Sequence, residues 1–209
     1  MDFEILETLA LKDGSWQNWP LHWARLQIAA RHFGYPLDQA ALEGQMQALQ
    51  RMHATGDWRV RLALGAQGQV QIAVVPLPPS ATPVWLEMAR QPIANSVAQG
   101  DFVRFKTSRR AHYDAFSPQN AQVFDVVLHN ENGEITEATR GNVCMRLDGR
   151  WVTPPLACGL LPGVGRALAL SQGRVSERVV HVGELPRVEA WAFVNSLRGW
   201  LDAQLISEY

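Results

Sequence analysis

Hydrophobic and polar residues change period several times along the chain, and each change marks an element. Residues 3–11 (FEILETLAL) alternate closely enough to predict a strand, with Asp13-Gly14 as the turn after it. Leu21, Leu26, Ala29, Ala30 and Phe33 then recur at near-helical spacing. They predict a helix opened by Asn18-Trp-Pro20 and stopped by Gly34. Residues 37–53 predict a second amphipathic helix, and residues 57–75 a hairpin turning between Gly65 and Gly68. The prolines of residues 76–83 (PLPPSATP) stiffen the chain and cannot continue a sheet ladder, so this stretch is the expected linker. It divides an α/β domain at 1–80 from a second at 84–209.

Beyond the linker, residues 84–89 predict a short strand and 93–100 a loop. The alternating run Phe102-Val-Arg-Phe105 predicts a strand ending at Lys106, with a helix beginning near Thr107 or Ser108. Residues 122–129 form an apolar strand, Asn130-Glu-Asn-Gly133 a turn, and 134–137 a further strand or strand end. Asp148-Gly149 centres a hairpin of 142–146 with 150–153. Leu160 to Arg166 leads into the helix-forming Ala167-Leu-Ala-Leu170, and Ala190-Trp-Ala-Phe-Val194 is a strand ahead of Asn195-Ser-Leu-Arg-Gly199. No internal repeat or low-complexity segment interrupts this order.

With 209 residues, 47% of them hydrophobic, the chain has ample material for a core. A formal net charge of −1 gives no electrostatic case for nucleic acid or an acidic membrane. No apolar run approaches the roughly 18 residues needed to span a bilayer, and Met-Asp-Phe-Glu at the start is no basic leader. Cys144 and Cys158 have no metal-ligand spacing and are too few for a disulfide scaffold, so a reduced cytoplasmic protein without a metal site is expected.

Among nineteen Lys and Arg residues only Lys12 and Lys106 are lysines. Arginine stays protonated, whereas a lysine can be tuned to lose its proton and attack a carbonyl. Lys106 is therefore a candidate nucleophile; it reads equally as a solvated lysine beside a turn. Pro162-Gly-Val-Gly165 before a helix could turn backbone N–H groups toward an anion, or be a simple turn. Glu137 lies among apolar and small residues, and a buried carboxylate needs a partner, which one of the arginines could supply. Arg25 sits early in the first helix, where it could reach past the helix end or remain solvated. Asn195-Ser196 follows an apolar strand as a candidate site or a polar turn.

Together, Phe3-Glu-Ile-Leu-Glu-Thr8, His22-Trp-Ala-Arg-Leu26, Lys106-Thr-Ser-Arg-Arg110, Ile135-Thr-Glu-Ala-Thr-Arg-Gly-Asn142, Thr153-Pro-Pro-Leu156 and Leu161-Pro-Gly-Val-Gly-Arg166 carry a family resemblance. In order and rough spacing this set resembles the class IV aminotransferases, pyridoxal-phosphate enzymes of fold type IV. Asn195-Ser-Leu-Arg-Gly199 and Lys106-Thr-Ser-Arg-Arg110 are most similar to the branch containing aminodeoxychorismate lyase. The resemblance implies a smaller N-terminal α/β domain and a larger, barrel-like C-terminal α/β domain with pyridoxal 5'-phosphate between them. It implies that Lys106 binds the cofactor's aldehyde and then shuttles the substrate proton, and that Glu137 pairs with the pyridine nitrogen. Arg25, the backbone at Val164 and Gly165, and Ser196 would hold the phosphate, with Arg110 near the phenolic oxygen. Thr8, Arg109, Arg140, Asn195 and Arg198 fall to the substrate side, Thr8 near the chemistry.

The implied activity is elimination of pyruvate from 4-amino-4-deoxychorismate to give 4-aminobenzoate for folate biosynthesis. The alternatives are a branched-chain or D-amino-acid aminotransferase, or a shortened, non-catalytic relative that binds the cofactor or a partner. A homodimer is implied, and aminodeoxychorismate synthase is a candidate partner. Two departures stand out. The chain begins at a strand that is internal in the family, and Gly165 stands where the family carries a threonine, an exchange expected to lower cofactor affinity.

Overall fold

The computed structural model describes residues 3–118 and 120–206. The chain divides into two compact units, Met1–Pro79 with Phe105–Arg109, and Ser80–Arg104 with Arg110–Tyr209. Among the described residues no helix is long and apolar enough to cross a membrane.

Unit 1 is an antiparallel sheet with two helices. Its strands are β1 (Ile5–Lys12), β2 (Ser15–Trp16), β3 (Asp57–Leu64) and β4 (Val70–Pro76), in the order β2-β1-β3-β4. Strand alternation puts Ile5, Glu7, Leu9 and Leu11 on one face of β1, opposite Leu64, Leu62, Val60 and Trp58 of β3. All but Trp58 are buried. Helix α1 (Trp19–Phe33) tolerates Pro20 in its first turn, where no N–H is required, and stops at Gly34 with φ 70°. Asp38 caps α2 (Gln39–Met52) by accepting from the Ala41 N–H at 3.0 Å.

The segment Phe105–Arg109 belongs to this unit because it is hydrogen-bonded onto the start of β1. The Leu6 N–H donates to the Lys106 carbonyl at 2.8 Å, and the Ser108 N–H to the Glu4 carbonyl at 2.9 Å. The Glu4 N–H in turn donates to Ser108 Oγ at 2.9 Å.

Unit 2 is built on an eight-stranded sheet. Its strands are β5 (Val84–Met88), β6 (Asp125–His129), β7 (Ile135–Ala138), β8 (Asn142–Leu147), β9 (Arg150–Thr153), β10 (Ser176–Glu177), β11 (Ala190–Asn195) and β12 (Gly199–Leu205). The spatial order is β10-β9-β8-β11-β12-β5-β6-β7. The sheet curls as a half-barrel: the Ala138 N–H at the end of β7 reaches the Gly141 carbonyl at 2.8 Å, at the threshold of β8. The largest core cluster of this unit includes Val84, Leu86, Val127, Ile135, Val143, Met145, Trp191, Phe193 and Leu201. Four helices accompany the sheet: α3 (Asn95–Ala98), α4 (Asp101–Arg104), α5 (Ala111–Asp114) and α6 (Val164–Ser171).

Three local expectations are corrected. The run before Lys106 is the helical turn α4, and the stretch expected as a loop at 93–100 contains α3. Phe102 and Phe105 are three apart, a spacing that shares one face of a helical turn and not of a strand, and the Gly100 carbonyl accepts from both Val103 and Arg104. The following helix begins only at Ala111, because residues 106–108 commit backbone groups to β1.

Gly159 marks a tight approach in unit 2. Its φ is 90°, and a Cβ there would lie 2.6 Å from Ala98 Cβ and 2.8 Å from the Ala98 carbonyl oxygen. Gly159→Ala adds strain at positive φ to this clash, so a loss of at least about 2 kcal/mol is expected. Denaturant melts check this; a variant as stable as the parent would show that the α3 contact yields freely.

Candidate active site

In unit 2 the polar centre is Glu137, 3% exposed near the end of β7. Its Oε1 accepts from the Tyr113 hydroxyl at 2.6 Å, and its Oε2 from the Leu161 N–H at 3.1 Å, with Asn142 Nδ2 at 3.5 Å. These three donors are neutral. Burial, and then the Glu137 charge, push the Tyr113 phenol well above its ordinary pKa, so it remains a donor. Asn142 Nδ2 also donates to the Leu161 carbonyl at 3.0 Å, tying β8 to the loop that enters α6.

That loop ends at Gly163, which precedes α6 and offers no side-chain acceptor to its first turn. Val164, Gly165 and Arg166 are buried, so the N–H groups of that turn form an uncapped cradle suited to an anion. Glycine at 165 has a steric explanation. A Cβ on Gly165 would stand 2.7 Å from the Asn195 carbonyl carbon and 3.0 Å from its Cα. The chain at Asn195-Ser196 thus packs directly onto the backbone of the cradle. Asn195 Oδ1 accepts from the Arg198 N–H at 2.8 Å, shaping the turn between β11 and β12.

The three candidate arginines of unit 2 are engaged with protein groups. Arg110 donates to the Thr139 carbonyl at 2.6 Å, and its guanidinium lies 4.7 Å from the Tyr113 ring centre. Arg140 holds the Phe124 carbonyl, lies over the Phe124 ring, and sits 3.5 Å from the buried Asp125 carboxylate. Arg198 bonds Ser80 Oγ.

In unit 1 a second buried carboxylate, Glu7 at 1% exposure, organises helix α1. It receives Arg25 Nε at 2.8 Å and Nη2 at 2.7 Å on separate oxygens, and faces His22 Nδ1 at 2.6 Å. Arg25 is thus paired to a buried acid and only 13% exposed in its side chain; it is not a solvated helix arginine. Burial alone would raise the Glu7 pKa, but the Arg25 charge and the hydrogen bonds from Arg25 and His22 outweigh it and hold it at about 2. Thr8 points to the opposite face of the sheet from Glu7, and the Arg109 guanidinium lies 5.4 Å from the Phe3 ring centre. Lys106 is half-buried. Lys12, the other lysine, is half-exposed and 4.0 Å from Asp57.

Sequence patterns brought out Glu137, Gly165 and Arg25 but missed Glu7, Tyr113 and Asn142. Glu7 had a signal: an acid inside an alternating strand, on the apolar side of the alternation. Tyr113 had none, since α5 is one turn long.

The Glu7 carboxylate has a testable pH signature. Its folded pKa is below the ordinary value, so its contribution to stability is present above about pH 4.5 and lost as pH falls toward about 2. Glu7→Gln should flatten the pH dependence of the unfolding free energy within that window; an unchanged slope would mean that Glu7 is not held charged.

A Schizosaccharomyces pombe protein provisionally designated an aminodeoxychorismate lyase is 32% identical over 179 residues, covering 83% of this chain and 75% of its own. A Mesorhizobium loti crystal structure, provisionally designated an amino-acid aminotransferase, superposes with TM-score 0.89 at 36% identity, over 98% of this chain and all of its own. The 4-amino-4-deoxychorismate lyase of Pseudomonas aeruginosa shares the fold, with TM-score 0.78 at 22% identity over 99% of this chain and 84% of its own. The model of amino-transferase class IV matches residues 4–206, and the chain belongs to that family.

Proposed function

We propose that the chain is a pyridoxal-phosphate-dependent lyase that releases pyruvate from 4-amino-4-deoxychorismate and leaves 4-aminobenzoate. The observation that carries this reading is Glu137, a buried carboxylate that accepts from the Tyr113 hydroxyl and the Leu161 N–H, beside an uncapped helix start suited to a phosphate. Such a carboxylate suits a protonated ring nitrogen, and the cradle at Val164 and Gly165 suits the phosphate, so the residues present fit the cofactor. The yeast relative supports the lyase branch.

Pyridoxal phosphate supplies, when bound, an aldehyde that condenses with amines and a ring that draws electrons from a neighbouring carbon. Lys106 would hold the cofactor through its amine, and its Nζ would take the proton from the substrate carbon that bears the amine. Glu137 keeps the ring nitrogen protonated; Tyr113 and the Leu161 N–H hold its carboxylate in place for that task. Arg25, the first turn of α6 and Ser196 would serve the phosphate, and Arg110 would serve the phenolic oxygen. Asn195, Thr8, Arg109, Arg140 and Arg198 serve the substrate side. Of these, Arg140 and Arg198 would have to share their donors with the protein groups they already hold. The second reading is transamination of branched-chain or D-amino acids. It is favoured by the Mesorhizobium loti neighbour and uses the same Lys106 and Glu137.

Borohydride reduction of the protein supplied with pyridoxal phosphate, followed by peptide mapping, should place a pyridoxyl group on Lys106; a label on Lys12 would remove Lys106 from this role. Purified protein should form pyruvate and 4-aminobenzoate from aminodeoxychorismate. Conversion of the cofactor to its amine form by amino acids, with no 4-aminobenzoate, would select the transaminase instead.

Glu137→Gln should keep cofactor binding and slow turnover about 10²–10³-fold, the scale for loss of one electrostatic stabiliser. Turnover at the parent rate would make Glu137 a structural carboxylate only.

A further inference from the structure

We infer that Glu7 is a positioning residue for the cofactor's phosphate, acting through Arg25; this rests on the reading of Arg25 as a phosphate ligand. Glu7 takes Arg25 by one edge of its guanidinium, Nε to one oxygen at 2.8 Å and Nη2 to the other at 2.7 Å. A planar guanidinium gripped along that edge has its plane and direction fixed, and its remaining N–H donors project from the other side. The lock sits on rigid elements. Glu7 lies in the middle of β1, while His22 and Arg25 are one turn apart on α1, the helix that buries Leu26, Ala29 and Ala30.

The exposure of the three members separates their roles. Glu7 and His22 side chains are each 1% exposed, whereas Arg25 keeps 13% at the surface of unit 1. A pair serving stability alone gains little from being charged, because well-packed apolar residues of similar volume do as well or better. A buried acid that orients an arginine reaching the surface instead prepares the donor before its anion arrives. The ordering of a long side chain is then complete in the protein without cofactor and does not weaken binding.

The consequence is a phosphate-specific effect from a residue that does not touch phosphate. Binding of pyridoxal phosphate and of unphosphorylated pyridoxal to the full chain, followed by tryptophan fluorescence, measures it. Glu7→Gln should lower the preference for the phosphorylated form about tenfold, Arg25→Ala should do so at least as strongly, and the double variant should be no worse than Arg25→Ala alone. Retention of the preference in Glu7→Gln, with its loss in Arg25→Ala, would overturn the positioning role and leave the phosphate role standing. Retention in Arg25→Ala would overturn both, while borohydride labelling of Lys106 would still report on the enzyme reading. Should Glu7→Gln fail to fold, Arg25→Lys decides. Lysine keeps the charge but cannot be gripped by two nitrogens, so a full preference in that variant would also overturn the inference.

Discussion

A carboxylate taken out of water must be met by hydrogen-bond donors or lose its charge, and in unit 2 that demand ties separate pieces of chain together. Glu137 draws Tyr113 from α5, the Leu161 N–H from the loop before α6, and Asn142 from β8. Leaving a buried acid short of one such donor costs about 1–3 kcal/mol, so each segment is held where the acid needs it. Asp125 repeats the device one strand away. Wholly buried, it accepts from Thr139 Oγ1 at 2.6 Å and the Arg140 N–H at 3.0 Å, fixing the turn that follows Glu137. The corner between β6, β7 and β8 is therefore set by two carboxylates and their donors as much as by apolar packing.

The main elements were legible in the chain because their periods are long and their ends are marked. Pro20 and Gly34 bracket α1, and Asp148-Gly149 turns one hairpin with φ 51° and 73°. What could not be read were one-turn helices such as α4, too short for any period to show. The candidate acids were legible to different degrees. Glu137 stands out because its neighbours are small and apolar, whereas Glu7 sits in a strand whose alternation hides one polar residue. Their partners come from 15 residues away for His22 and Glu7 and from 24 for Tyr113 and Glu137, separations that no local pattern encodes.

Gly165 shows how a departure from a family pattern can be read physically. By itself the missing threonine suggests a weakened anion site. In the structure the missing side chain is what lets the Asn195 backbone close on the first turn of α6. The glycine leaves room for a second stretch of chain, the one that carries Ser196.

The attachment of residues 105–109 to β1 bears on the order in which the molecule is made. The Glu4 to Ser108 hydrogen bond spans 104 positions, so the sheet of unit 1 gains its last edge only after the first stretches of unit 2 have been synthesised. A chain growing from a ribosome can assemble β1 to β4 and both long helices from near neighbours, but must hold the start of β1 open until Ser108 emerges. The lysine proposed to do the chemistry is thus delivered on a late-arriving strap, and an early product that stops at the proline-rich linker would contain most of unit 1 but not Lys106.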